Sequence, residues 1–365
     1  MISDWLARNP RADRARLYDA EQRAVIDPDR LPDIGSFGVA DKGPTPLLAL
    51  PALARRLGLG DIRVKDESQR FGFGAFKALG GVFAVREFVT MHDDRKPADI
   101  VFTTASSGNH GRSVAMGAQL VGARCVVFLP RFTSAEKEAA IRARGAEVIR
   151  IDGDYDTAVA ECRRQAEQKG WTIISDTSWP GYETVPRDVM RGYTVLADEI
   201  LRQWRESPTH VLVQAGVGGL AAALIGYLWA KVPQRPQFVI VEPKSADCWF
   251  QSNAAGKPTL ASGNADTVMG GLACREISPL TWPVIGLGAD WFMTIEEDDV
   301  MPARRLYAHP LENDPTIASG PSGCAGLAAL TRLCASDEAR SVVGLDGNAR
   351  VLLVNSEGNL GEGAA

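Results

Sequence analysis

The sequence predicts an α/β protein of two doubly wound lobes with a ligand cleft between them. Two observations carry that prediction. Short β-branched runs alternate with amphipathic helical stretches from residue 60 onward, the pattern of parallel sheets covered on both faces. The runs number about eight, enough for two such sheets. In order they are "IRVK" (62–65), "IVFTT" (100–104), "RCVVFL" (124–129), "AEVIRI" (146–151), "WTIIS" (171–175), "HVLVQA" (210–215), "QFVIVE" (237–242) and "RVLLVN" (350–355). Between them, stretches such as "SAEKEAAIRARG" and "RDVMRGYTVLADEILRQW" place apolar residues at helical spacing. Residues 253–315 are rich in Gly, Pro and Asn and are expected to be irregular. Ligands of such sheets bind beyond the carboxyl ends of the strands, so the loops that follow the strands are where chemistry is sought.

Composition narrows the chemistry. With 45% hydrophobic and 23% charged residues over 365 positions, the chain can bury a large core. A net charge of -5, with both signs interspersed and no long basic run, gives no electrostatic case for nucleic acid or an anionic membrane surface. The opening "MISDWLARNPRADRARL" is too polar for a signal peptide, and no apolar run approaches the roughly 18 residues of a membrane span, so a cytoplasmic enzyme of small molecules is expected. Six cysteines lack CxxC spacing and four histidines form no ligand pair, so no metal is expected.

Three loops point to one ligand. In "QAGVGGLAAAL" (214–224) an apolar strand runs into Gly216, Val217, Gly218, Gly219 and Leu220 and then a helix, so that backbone N–H groups and a helix N-terminus form a cradle for phosphate. A sharp turn would use the same glycines. Gly216, Gly218 and Ala221 also satisfy G-x-G-x-x-A, and Glu242 closes the next strand as a nicotinamide-binding fingerprint requires. "TTASSGNHGRSVAMGAQ" (103–119) sets Ser106, Ser107, Gly108, Asn109 and His110 at a helix N-terminus, more polar groups than one cap needs and suited to gripping a carboxylate. In "GFGAFKALGG" (72–81) Lys77 lies between Phe76 and Ala78; apolar flanks partly desolvate its ammonium and favour a nucleophilic amine, unless the side chain snorkels to solvent. An amine nucleophile, a phosphate cradle and a carboxylate grip together suit an amino acid held on pyridoxal phosphate.

These segments resemble a known family. "GAFKALGG", "TTASSGNHG", "VQAGVGGL" and "VNSEGN" resemble the marker segments of fold-type II pyridoxal-phosphate enzymes, which include threonine and serine dehydratases, serine racemase and the tryptophan synthase β chain. "KDESQRFGFGAFKALGG", "SDTSWPGYETVPRDVMRGY", "VEPKSADCWFQS", "TVMGGLACREISPLTW" and "SGPSGCAGL" resemble, more closely, the diaminopropionate ammonia-lyases. The resemblance implies two lobes of the tryptophan synthase β type with the cofactor in the cleft, a large cofactor-binding domain of residues 1–80 plus 196–365, a small substrate-gripping domain of residues 81–195, and a homodimer.

Residue by residue, the resemblance makes Lys77 the Schiff-base lysine and Gly216, Val217, Gly218, Gly219 and Leu220 the phosphate loop. Asn109 is placed against the cofactor's 3-hydroxyl, Ser356 at the pyridine nitrogen, and Ser106, Ser107 and His110 near the substrate carboxylate. Asp176 matches an acidic residue that binds the substrate's second amino group, where the residues alone equally allow an Asx-type turn. Lys77, Ser107 and Asp176 form the expected catalytic set. Cys248 and Cys274 fall where those ammonia-lyases can form a disulfide. Ser107 stands where they carry an aspartate that deprotonates D-isomers, so a strong preference for L-substrates is expected. The implied reaction is β-elimination from a small L-amino acid with a β-amino or β-hydroxyl group, such as 2,3-diaminopropionate, giving a 2-oxo acid and ammonia. The alternatives are a serine/threonine-type dehydratase or racemase on the same fold and, from the 216–221 loop, a nicotinamide-dependent dehydrogenase.

Overall fold

The computed structural model describes residues 3–40 and 43–359, which form two compact units: residues 3–30, 43–75 and 196–359 make one, residues 31–40 and 76–195 the other. The first unit is built on a seven-stranded sheet in the order Leu6–Arg8, Trp291–Ile295, Gln237–Pro243, His210–Gln214, Arg350–Asn355, Asp61–Asp66, Leu47–Ala49. Its inner strands run parallel and its two edge strands antiparallel. His210–Gln214 and Trp291–Ile295 are buried at every position, as parallel strands covered on both faces must be.

Strand Trp291–Ile295 and the helices Trp282–Gly288 and Glu297–Ala308 lie inside the stretch for which the sequence predicts irregular structure. A five-residue apolar segment shows no period of its own; pairing in parallel with Gln237–Pro243 is what makes it a strand. The short edge strands Leu6–Arg8 and Leu47–Ala49 escape the sequence pattern for the same reason. The "KDESQR" segment also behaves unexpectedly, because its charges are buried. Arg70 donates to Glu67 and to Glu199 at 2.7–2.8 Å, while the Lys65 ammonium lies 2.6 Å from Glu199 and 2.7 Å from the Thr45 carbonyl. Two cations and two anions thus neutralise one another in the interior and pin the chain just ahead of the Lys77 turn.

The second unit carries a four-stranded parallel sheet in the order Glu147–Ile151, Arg124–Pro130, Val101–Ala105, Thr172–Ile173. Helix Lys77–Met91 packs tightly on helix Asn109–Val121 and on helix Thr184–Gln203. The glycine pair after Lys77 explains how: a Cβ on Gly81 would lie 2.8 Å from that of Ser113, and one on Gly80 would lie 2.5 Å from the Tyr193 ring. Each glycine costs the helix about 1 kcal/mol of propensity, offset by the close packing it permits. Among the described residues no helix is long and apolar enough to cross a membrane, and no group of His, Cys, Asp or Glu is placed to hold a metal ion.

Candidate active site

Two strand ends of the second unit converge on Lys77. Strands Val101–Ala105 and Thr172–Ile173 are parallel neighbours, so the loops at their carboxyl ends, 106–110 and 174–182, emerge side by side. Lys77, the first residue of its helix, donates from Nζ to Asp176 Oδ2 at 2.6 Å, with both side chains 19% exposed. The apolar setting expected from the sequence is therefore only partial: the Phe76 and Tyr193 rings lie 5.4 and 6.0 Å from Nζ, and a carboxylate completes the surroundings. Burial raises the Asp176 carboxyl, but the Lys77 ammonium outweighs it and holds the group well below the usual carboxylate range. Asp176 is thus a paired, ionised group.

His110 is buried and pairs through Nε2 with the Ile174 carbonyl at 2.9 Å. A carbonyl only accepts, so Nε2 carries the proton. Burial lowers the imidazole below its ordinary value, with the Lys77 charge assisting and Asp176 opposing. The ring is therefore neutral and its Nδ1 is a bare acceptor without a hydrogen-bond partner, 3.9 Å from Asp176 Oδ2. The loop bearing Asp176 is held by Tyr182, whose hydroxyl accepts from the Ser175 N–H at 3.0 Å, donates to the Ile173 carbonyl at 2.7 Å, and whose ring stacks on Trp179 at 3.9 Å.

Helix Asn109–Val121 starts at Gly108 without a side-chain cap, so the serines ahead of it are not used up as caps. Ser106 Oγ accepts only a long bond, 3.3 Å, from the Gly108 N–H. Asn109 Oδ1 accepts from Arg112 at 2.9 Å.

The glycine loop belongs to the first unit and is built from strand His210–Gln214 into helix Gly219–Lys231. Gly218 has φ 102°, and any Cβ there would collide with the Trp249 ring. Trp249 Nε1 donates to the Gly216 carbonyl at 2.8 Å, and the Ser278 N–H and Thr281 hydroxyl donate to the Val217 carbonyl at 2.9 and 3.3 Å. Trans peptides point N–H opposite C=O, so the Val217 and Gly218 N–H groups face away from these tethers, and a helix N-terminus with such N–H groups suits an anion. That donor set fits a phosphate. The adjacent parallel strand, Arg350–Asn355, runs into the buried Ser356, whose Oγ accepts from Gln214 Nε2 at 3.1 Å. Its own proton remains to be donated. Gln214, Trp249, Ser278 and Thr281 escaped the sequence reading, because only folding brings them to the loop they tether.

The nicotinamide fingerprint fails at Glu242. Its carboxylate is buried and accepts from the Trp249 and Phe250 N–H groups, both at 2.8 Å, and from the Cys248 thiol at 3.4 Å. Burial pushes it well above the ordinary carboxyl value. It tethers the start of helix Cys248–Ala255 and has no oxygen to offer a ribose. Cys248 and Cys274 are not joined by a disulfide, and Cys274 Sγ lies beside Gly216.

Comparison with known proteins agrees with this chemistry. Residues 40–357 match the family described as pyridoxal-phosphate dependent enzyme. The diaminopropionate ammonia-lyase of Escherichia coli strain K12 is 38% identical over 341 residues, spanning 88% of this chain and 86% of that protein. The crystal structure of the Escherichia coli enzyme with an aminoacrylate–PLP azomethine reaction intermediate superposes with a TM-score of 0.85 at 35% identity, over 98% of this chain and 94% of that one. The same enzyme in complex with D-serine superposes with a TM-score of 0.86 at 34% identity, over the same shares. The chain is thus a fold-type II enzyme of the pyridoxal-phosphate-dependent family, and within it belongs to the diaminopropionate ammonia-lyase family.

Proposed function

We propose that this enzyme eliminates the β-amino group of 2,3-diaminopropionate, with a preference for the L-isomer, to give pyruvate and two molecules of ammonia. The observation that carries the reading is the acceptor pair of half-buried Asp176 and buried His110 against Lys77. An ionised carboxylate and a bare imidazole nitrogen together form a receptor for a cation, which a β-ammonium satisfies and a β-hydroxyl does not. This makes His110 a partner of the ammonium group, where the resemblance placed it near the carboxylate.

Lys77 would hold the cofactor aldehyde and take the α-proton. The 216–220 loop would bind the cofactor phosphate through its N–H groups, Asn109 would donate to the 3-hydroxyl, and Ser356 would donate to the pyridine nitrogen. The bound cofactor supplies the electron sink that makes the α-proton acidic. A neutral hydroxyl at Ser356 favours an unprotonated ring nitrogen, which suits prompt loss of the β-substituent over transamination. Ser106 and Ser107, beside an uncapped helix N-terminus, would grip the substrate carboxylate. In this reading residues 1–80 plus 196–365 bind the cofactor and 81–195 grip the substrate. A cytoplasmic homodimer that binds neither nucleic acid nor membrane fits the composition and the resemblance.

The test is borohydride reduction of the purified yellow protein followed by peptide mapping. The label is expected on Lys77, with turnover abolished in Lys77→Ala; label elsewhere, or substantial turnover by that variant, sinks the reading.

A further inference from the structure

Beside the Lys77 amine lies a buried hydroxyl that the reaction scheme has not used. Tyr193, on helix Thr184–Gln203, is 1% exposed; its ring packs 4.8 Å from that of Phe76 and lies over Gly80, where only a glycine leaves room for it. The polar groups its hydroxyl faces are the Lys77 amine and the Asp176 carboxylate, yet it makes no well-aligned hydrogen bond. An unsatisfied buried hydroxyl destabilises the fold, and a phenylalanine would fill the same space without that cost. Burial raises the phenol above its ordinary value, so it stays protonated at neutral pH.

In the proposed reaction Asp176 also receives the β-ammonium of the substrate, which weakens its hold on the Lys77 amine, 2.6 Å away. The Tyr193 ring lies 6.0 Å from the amine, and its hydroxyl is a polar group that can share in holding it. Accepting one N–H from the neutral amine leaves the nitrogen lone pair for the α-proton, and the same oxygen can accept from the ammonium that forms. We infer that Tyr193 is a positioning residue that aims the Lys77 amine at the α-carbon once the substrate has engaged Asp176. This inference rests on the reading of Lys77 as the α-proton base.

The test is Tyr193→Phe in the holoenzyme, which keeps the ring and removes one oxygen. Turnover number for L-2,3-diaminopropionate is expected to fall about 10- to 100-fold with KM nearly unchanged, the cost of a misaimed reacting group. The isotope effect on α-deuterated substrate is expected to rise, because proton removal becomes slower than the steps around it. Thermal stability is expected to hold or rise, since an unsatisfied group is gone, and borohydride is expected to label Lys77 to the same extent as in the parent. A turnover number within about twofold of the parent overturns the inference, as does a loss of turnover that tracks lost stability and lost label. Failure to label Lys77 in the parent protein overturns the Lys77 reading and this inference with it, whatever Tyr193→Phe does.

Discussion

Replacing Asp176 by asparagine tests the cation receptor directly. The side chain keeps its shape and loses its charge, at a site where the carboxylate meets an amine at 2.6 Å with both partners 19% exposed. A hydrogen bond to a charged group contributes about 1.5–3 kcal/mol, which at about 1.4 kcal/mol per decade is roughly 10- to 150-fold. Partial exposure and the remaining amide oxygen place the expected loss in the lower half of that range. The assay is pyruvate release from L-2,3-diaminopropionate and from L-serine at matched pH. We expect kcat/KM for the diamino acid to fall about 10- to 50-fold, mostly through KM, and the value for serine to change by less than about threefold. The pH dependence adds a second check. The Asp176 carboxyl is depressed, so the stability its pairing contributes is present above the ordinary carboxyl value near 4 and is lost only as pH falls through the lower folded value. Asp176→Asn should therefore leave any limb of the pH profile near neutrality in place. Equal losses on both substrates, or disappearance of a neutral limb, would refute the receptor argument.

Three further outcomes follow from the same geometry. Gly80→Ala drives a Cβ to 2.5 Å from the Tyr193 ring, so despite the better helix propensity of alanine it should destabilise by about 1–3 kcal/mol in urea unfolding and lower turnover; a more stable variant would show that the ring is free to move. Glu242→Gln converts one of two accepting oxygens into a donor facing a backbone N–H, and should cost about 1–3 kcal/mol of stability while leaving NADH binding undetectable, as in the parent. The unsubstituted enzyme should turn over D-2,3-diaminopropionate about 10²-fold more slowly than the L-isomer, because a serine hydroxyl at position 107 is a poor base, and Ser107→Asp should recover part of that activity; comparable rates on both isomers would overturn the stereochemical reading.

Much of the site was legible in the sequence because its parts are contiguous in the chain. A strand, a glycine-rich turn and a helix start occupy one run of residues at 210–224, so that turn could be read without knowing what surrounds it. The same holds for Lys77, which a strand and a glycine-rich turn deliver to the first turn of a helix. The alternating pattern likewise specified eight of the eleven strands among the described residues, since buried parallel strands are apolar along their whole length. What the sequence left open are properties that exist only through space. Lys77 and Asp176 are 99 residues apart, and their pairing depends on which strands are neighbours. The tautomer of His110 depends on a carbonyl 64 residues away, and so does its role as acceptor. Glu242 satisfied a local fingerprint for a ribose, but the helix that docks on its strand end claims both of its oxygens. Strand Trp291–Ile295 is extended because a neighbour offers a ladder to join. Ionisation, tautomer and hydrogen-bond partnership are set by burial and by neighbouring charges, and those are assembled only when distant segments pack.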